Sequence, residues 1–354
     1  MANITYLLTY CEVKVNFSQK QRKIRTEPNL TESNVLEGTP TQLTRRMILS
    51  QVNGIFDPLG LVSPFVVNAK ILLRKITDQK AGWDDPISEK DRNEWTAFFY
   101  EMFQIEKIKF ARSVKPENAV GNPVLVLFSD ASTEAFGACA YVRWETEDGQ
   151  FMCTLLAAKS KLAPAKRLSI PRLELNAALL AARLKKFIVE ESRLVFERVY
   201  FIVDSEIVRA MIQKESYGFN TFVGVRIGEI QDITEKHDWY WVESSQNIAD
   251  IISRGAKAAE IGEGSAWQGG PDFLHYPVEH WPVKQSFAGT LLPEAIVMAA
   301  PEVEIQPSVT SLIDIDRFSS YNMLLRVTAR VSSVANNEGR NSLKNSPCTL
   351  AEKT

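Results

Sequence analysis

Val124-Leu125-Val126-Leu127-Phe128 is five apolar residues in a row, with no polar residue alternating between them. A strand of this composition cannot turn one face to water, so it belongs inside a sheet that is covered on both sides. That requirement points away from a helical bundle and a one-sided sheet, toward an α/β layer architecture. The residues that leave the strand, Ser129-Asp130-Ala131-Ser132, then place a carboxylate at its exit.

The neighbouring pattern fits such a sheet. Phe136 to Trp144 and Phe151 to Lys159 read as hairpin partners joined through Glu145-Thr146-Glu147-Asp148-Gly149, where Asp-Gly is a turn signal. Pro171 sits where a helix begins, and Leu173, Leu175, Ala178, Leu179, Ala182, Leu184 and Phe187 continue it. A strand at Val199–Val203, a short helix after Asp204, a helix through Phe222–Ile233, a strand at Trp239–Val242 and a last helix near Ile248–Ser253 follow. Upstream, apolar stretches at Leu43–Ile55, Val66–Ile76 and Glu89–Phe103 have helical spacing, with a break at Asp57-Pro58-Leu59-Gly60. The expected fold class is α/β: a mixed five-stranded sheet flanked by helices and preceded by a small helical module.

Composition sets limits rather than a function. With 354 residues, 45% hydrophobic and 24% charged, the chain has room for two or three compact units. A net charge of -2 supplies no global pull toward nucleic acid, so any phosphate contact must come from local Lys and Arg clusters. Cys11, Cys139, Cys153 and Cys348 form no CxxC pair, which argues against a zinc knuckle or a disulfide framework and for a reducing, intracellular setting. His275 and His280 lack a cysteine pair at metal-ligand spacing, so no zinc site is expected there. Met1–Val13 lacks the features of a signal peptide, and no run approaches the roughly 18 apolar residues of a membrane helix. Lys14 to Gly38, including the basic cluster Lys20–Arg25, reads as a solvated connector.

The order of elements brings four acids to comparable places. Asp130 and Asp204 leave two buried strands, Glu174 lies about one turn into the helix opened by Pro171, and Asp250 begins the last helix. Close carboxylates repel and raise one another's pKa, so a cluster is tolerable mainly where a divalent cation neutralises it. For any single acid, a helix cap is the simpler reading. Four acids in this element order favour a site, while Glu134, Glu206 and Asp148 are expected to be solvated surface or turn residues. Lys159, Lys161, Lys166, Arg167 and Arg172 are candidate phosphate contacts; a solvated lysine-rich connector is the competing reading, and both stay open.

At these residues the sequence resembles the ribonuclease H region of Bel-Pao type LTR retrotransposon polyproteins. Phe128-Ser129-Asp130-Ala131-Ser132, Pro171-Arg172-Leu173-Glu174-Leu175-Asn176, Val203-Asp204-Ser205 and Asn247-Ile248-Ala249-Asp250-Ile251-Ile252-Ser253-Arg254-Gly255 resemble that region's successive motifs. Ile55-Phe56-Asp57-Pro58-Leu59-Gly60-Leu61-Val62-Ser63-Pro64 is similar to the segment after the reverse transcriptase palm. Trp267-Gln268-Gly269-Gly270-Pro271-Asp272-Phe273-Leu274 resembles the segment after the ribonuclease H domain, and Asp316–Ser320 with Leu324–Val327 the approach to the integrase. The resemblance covers roughly Leu43 to Val331.

The resemblance implies a magnesium-dependent endoribonuclease that cuts the RNA strand of RNA/DNA hybrids with two Mg2+ ions, Mn2+ serving as substitute. Asp130, Glu174, Asp204 and Asp250 would be both the catalytic residues and the metal ligands. It implies reverse transcriptase and integrase parts of the polyprotein as partners and a cytoplasmic setting, in virus-like particles, with no membrane. The organisation that follows is a connector left from the reverse transcriptase region at 1–42, a helical thumb- or connection-like module at 43–113, a ribonuclease H-like domain at 120–262, a linker at 263–309, an integrase-proximal start at 310–335 and a disordered tail at 336–354. Such a fragment lacks a Tyr-x-Asp-Asp polymerase motif and the integrase acids. Many cellular ribonucleases H carry a histidine before the last acid, where Glu243-Ser244-Ser245-Gln246 stands here. A catalytically silent fragment that binds nucleic acid or other polyprotein parts is the alternative. An aspartic peptidase ranks last, because no Asp-Thr/Ser-Gly motif is present.

Overall fold

The computed structural model describes residues 42–79, 82–105, 107–111, 113–285 and 325–326. The chain divides into units at Met1–Ile296 and Val297–Thr354, and of the second only Leu325 and Arg326, both helical, are described. The connector expected at 1–42 lies almost wholly outside the described residues, as do the Asp316–Ser320 segment and the tail at 336–354.

The apolar run at 124–128 lies inside β1 (Ala119–Ala131), the middle strand of a five-stranded sheet. β1 pairs antiparallel with β2 (Ala135–Thr146), which pairs antiparallel with β3 (Phe151–Leu162). On its other side β1 runs parallel to β4 (Arg198–Val203), and β4 to β5 (Trp239–Trp241), giving the order β3-β2-β1-β4-β5. The hairpin turns where the sequence predicts it: Gly149 takes φ +73°, and its N–H donates to the Thr146 carbonyl at 2.8 Å.

Burial along β1 explains the unbroken apolar run. Leu125 and Leu127 enter one core together with α4 (Ile170–Glu191), α5 (Glu206–Gln213) and α6 (Thr221–Ile233). Val126 and Phe128 enter a second core on the opposite face. All four are fully buried, each worth about 1.5–3 kcal/mol relative to exposure, so neither face could accept a polar residue cheaply.

The second face is closed by the upstream helices α1 (Arg45–Asn53), α2 (Ser63–Thr77) and α3 (Glu89–Ile105). α1 starts at Thr44, whose hydroxyl accepts from the Met47 N–H at 3.3 Å, and the Ser88 hydroxyl accepts from the Asp91 N–H at 3.1 Å at the start of α3. Phe65, Trp95, Phe98 and Phe99 pack in the same core as Phe128 and Tyr141. The three helices therefore form the cover of the sheet, sharing one core with it inside a single unit.

The described start of the stretch read as a linker packs on the sheet. Residues 263–285 carry α8 (Ala266–Gly269) and bury Trp267, Phe273, Leu274 and Trp281 against the sheet. Arg143 holds them there, donating to the Leu274 and Tyr276 carbonyls at 2.7 Å each while its guanidinium lies 3.7 Å over the Phe151 ring. Apolar side chains at Gly- and Pro-rich spacing gave no local period, yet they fill the remaining part of the second face.

Both sheet edges are protected, which removes a route to edge-to-edge association. At β3 the Ala158 N–H donates to the Leu59 carbonyl at 2.8 Å, from the Asp57–Gly60 loop. The Asp57 carboxylate accepts from the Leu61 and Val62 N–H groups at 2.8 Å each and fixes this loop. At β5, Trp241 and Lys284 exchange two backbone bonds of 2.8 Å. Among the described residues no helix is long and apolar enough to cross a membrane.

Candidate functional site

Asp130 is the penultimate residue of β1, and Asp204 follows the last residue of β4. The register pairs Ser129 with Val203, so the two acids leave neighbouring parallel strands at the same end of the sheet. Glu174 comes from the first turns of α4, and Asp250 opens α7 (Asp250–Arg254). All four line one cavity of about 1340 Å³. Its opposite wall is built by α2 and α3, through Asn68, Ile71, Leu72, Asn93, Ala97 and Tyr100.

Polar neighbours, most of them inside the acid-bearing segments themselves, hold the acids. The Ser253 hydroxyl, fully buried, donates to the Asp130 carboxylate. The Ser205 hydroxyl donates to Glu174 Oε2 at 2.5 Å and also accepts from the Val208 N–H, capping α5. Trp241 Nε1 donates to the Asp204 carbonyl at 2.8 Å. Arg254, one turn along α7, donates to Asp250 Oδ1 at 2.5 Å. Asn247 ties the acid-bearing turn to the sheet: its Nδ2 donates to the Ser129 carbonyl at 3.0 Å and its Oδ1 accepts from the Ala249 N–H at 3.2 Å.

The helical cover also grips the segment after Asp250. The Ala256 N–H donates to the Pro64 carbonyl at 3.1 Å, Asn68 Nδ2 donates to the Ala256 carbonyl at 3.0 Å, and Glu101 accepts from the Ala258 N–H at 3.1 Å. Gly255 has φ +85° and lies so close to Asn68 that a Cβ would overlap its amide. α7 is thus clamped between β1 and α2.

The acids share an electrostatic environment. Burial pushes the Asp130 carboxyl up to about 6; the Ser253 hydrogen bond opposes this, and the Asp204 and Asp250 charges add to it. Burial likewise raises Glu174, against the Ser205 bond, with Asp204 and Asp130 contributing in the same direction. Among the described residues no group of three or more His, Cys, Asp or Glu side chains is gathered closely enough to hold a metal ion as it stands. In donor chemistry the set suits a hard divalent cation: Asp130, Glu174, Asp204 and Asp250 supply four carboxylates, and among the described residues Arg254 is the one cation ion-paired with them.

The five expected phosphate contacts do not converge on this cavity. Lys159, Lys161, Lys166 and Arg167 are exposed, and Arg172 stacks over Phe222 at 4.8 Å. None of the five lines the acid cavity, where Arg254 and Lys257 are the cations present. Lys159 and Lys161 pair with Ala138 and Phe136, both in the α4–α6 core, so they project on the face opposite α1–α3. Glu134, expected as solvated surface, is exposed but stands on the cavity rim.

Residues 44–205 match the family model described as the Pao retrotransposon-like RNaseH-like domain, a span that contains Asp130, Glu174 and Asp204 and ends before Asp250. No curated protein matches the chain. Among solved structures, the N-terminal RNase H domain of rv2228c from Mycobacterium tuberculosis is 14% identical, over 37% of this chain and 94% of that one, with TM-score 0.27. RNase H1 from Halobacterium salinarum is 14% identical over 37% and 94%, with TM-score 0.25. The foamy viral protease-reverse transcriptase is 11% identical over 60% of this chain and 34% of that one, with TM-score 0.37. The five-stranded sheet and the matched span agree: residues 44–205 carry a domain similar to the Pao retrotransposon-like RNaseH-like domain.

Proposed function

We propose that this domain is a divalent-metal-dependent endoribonuclease that hydrolyses the RNA strand of RNA/DNA hybrids. The observation that carries the reading is the convergence of Asp130, Glu174, Asp204 and Asp250 on one cavity at the carboxyl end of β1 and β4. Asp130 and Glu174, both raised first by burial and then by neighbouring acids, stand in a cleft, which is the pattern of a functional site. Two Mg2+ ions, or Mn2+ in their place, would be held by these four carboxylates, supplying charge neutralisation at the phosphodiester and a more acidic water.

The chain's own groups set the geometry for that chemistry. Ser253 and Ser205 orient Asp130 and Glu174, Trp241 fixes the backbone at Asp204, and Asn247 with the α2 clamp fixes the turn that carries Asp250. Hydrolysis forms a bond from water oxygen to phosphorus and breaks the bond to O3′, leaving a 3′-hydroxyl and a 5′-phosphate. No histidine lies at the cavity, so proton transfer to the leaving oxygen falls to water or to Lys257 at its wall. Reverse transcriptase and integrase parts of the same polyprotein are the proposed partners, in a cytoplasmic particle.

A second reading, a domain that binds nucleic acid or polyprotein parts without turnover, is favoured by one observation: the acids are not gathered at metal-holding spacing. One assay separates the two. A labelled RNA/DNA hybrid incubated with Mg2+ or Mn2+ should lose its RNA strand to the wild type and keep it with an Asp130→Asn, Asp204→Asn double variant. Cleavage no greater than the double variant's, with hybrid binding intact, would establish the second reading.

A further inference from the structure

A smaller hollow of about 280 Å³ opens on another flank of α4, between α4, α6 and the start of β2, lined by Lys161, Asn176, Arg183, Val225, Arg226 and Glu229. Asn176 lies roughly 200° around the helix from Glu174, so hollow and acid cavity sit on different sides of α4. Asn176 and Arg183 are two turns apart on one face, a strip of about 10 Å.

The strip carries three cations and one carboxylate. Glu229 is taken up by Arg183, which donates to it from Nε and Nη2 at 2.6 and 2.7 Å. Lys161 is exposed and has no carboxylate partner among the described residues. Arg226 is held rigidly, donating from Nε to Asn176 Oδ1 at 2.7 Å and from Nη1 to the Phe222 carbonyl at 2.8 Å, with its guanidinium 3.6 Å over the Phe222 ring. Nη2 of Arg226 and Nη1 of Arg183 have no hydrogen-bond partner among the described residues. Burial, then the charge of Arg183, lowers the Arg226 pKa, and the Arg172 charge adds to this, so these cations crowd one another. A fixed guanidinium with an unused donor, beside a free lysine in a concavity, is the arrangement that binds a phosphate oxygen.

We propose that this hollow is a phosphate-binding site for a nucleic-acid backbone, with Lys161 and Arg226 as the contacting groups and Asn176, Phe222 and Glu229 as the groups that hold the guanidinium cations in place. Lys161, Arg183 and Arg226 line one open concavity, so a strand, which carries one charge per 3.4 Å of axis, meets more of these cations than a single free anion does. Arg226 covers one face of the Phe222 ring and the contacting groups are cations, so the contact is to backbone and independent of sequence. The site shares with the proposed function only the identity of the ligand.

The test is equilibrium binding of a fluorescent RNA/DNA hybrid by the full chain in EDTA, where no cleavage occurs, across about 50 to 200 mM salt. Lys161→Gln should weaken binding equally for unrelated sequences and reduce the slope of log affinity against log salt by about 1. Arg226→Gln should do the same, Lys161→Arg should keep the wild-type slope, and Lys90→Gln, an exposed lysine on α3, should be neutral. Because Lys161 is exposed, its variants test binding without disturbing the core. Unchanged slopes for both Lys161→Gln and Arg226→Gln, an equal loss for Lys90→Gln, or no hybrid binding by the wild type overturns the proposal. If the slopes stay unchanged while cleavage still depends on Asp130 and Asp204, only this site fails.

Discussion

Replacing Asp130 with Asn in the metal-free protein should stabilise it at neutral and alkaline pH and leave it unchanged in acid. In the unfolded chain this carboxyl ionises near 3.8, whereas in the fold burial and the Asp204 and Asp250 charges hold it up to about 6. Below 3.8 both states are protonated and the group contributes nothing to the pH dependence. Between the two values the folded state keeps a proton that the unfolded state has released, so stability falls as pH rises and then levels off above about 6. The interval corresponds to an upper limit of ~3 kcal/mol. Asn cannot ionise, so the variant escapes this loss, while its side-chain oxygen can still accept from Ser253. For a unit of this size 1 kcal/mol moves Tm by about 2–4 °C, giving a gain of at most about 6–12 °C at pH 8 and none near pH 3.5. Calorimetric scans of both proteins in EDTA at several pH values would show it. A difference in Tm that is the same in acid and at pH 8 would refute the claim that burying this carboxyl beside two other acids sets the cost. Magnesium should raise the wild-type Tm and have little effect on the variant, because a ligand stabilises only the state that binds it.

Two other changes probe the frame around the acids. Gly60→Ala should destabilise the protein by at least ~2 kcal/mol in denaturant unfolding, since Gly60 has φ +75° and a Cβ would overlap the Ala158 backbone carbonyl at the β3 edge; a loss below about 0.5 kcal/mol, within the range of ordinary surface substitutions, would show that this docking is dispensable. Asn247→Ala removes two bonds of a buried amide, which should cost about 1–3 kcal/mol and lower hybrid cleavage about 10- to 100-fold with the four acids intact; wild-type cleavage would sink its positioning role.

The parts of this fold written in local pattern were legible in the sequence. Val124–Phe128 predicts a strand buried on both faces because both neighbouring layers are imposed on consecutive side chains, and the structure divides that run between two cores. Asp148-Gly149 and Pro171 mark a turn and a helix start through backbone constraints of one or two residues. The position of α1–α3 was not legible, because a helical period says which face is apolar but not what it covers. Trp267 Nε1 donates to the Leu61 carbonyl across 206 residues, and no local spacing encodes such a contact. In the site, acids at strand ends could be found by element order, whereas Ser253, Ser205 and Asn247 are small polar residues whose role depends entirely on where the chain returns. Lys159 and Lys161 show the opposite case: their charge was readable, but the face on which they project follows from the β2–β3 register.

The central claim is that Asp130, Glu174, Asp204 and Asp250 together hold divalent metal. Crystals grown with Mn2+ and measured at its absorption edge test it most directly. The account predicts two anomalous peaks in the acid cavity, roughly 4 Å apart and liganded by these carboxylates, with both lost in the Asp130→Asn, Asp204→Asn variant. An empty cavity at millimolar Mn2+, or peaks confined to other acids, would contradict it.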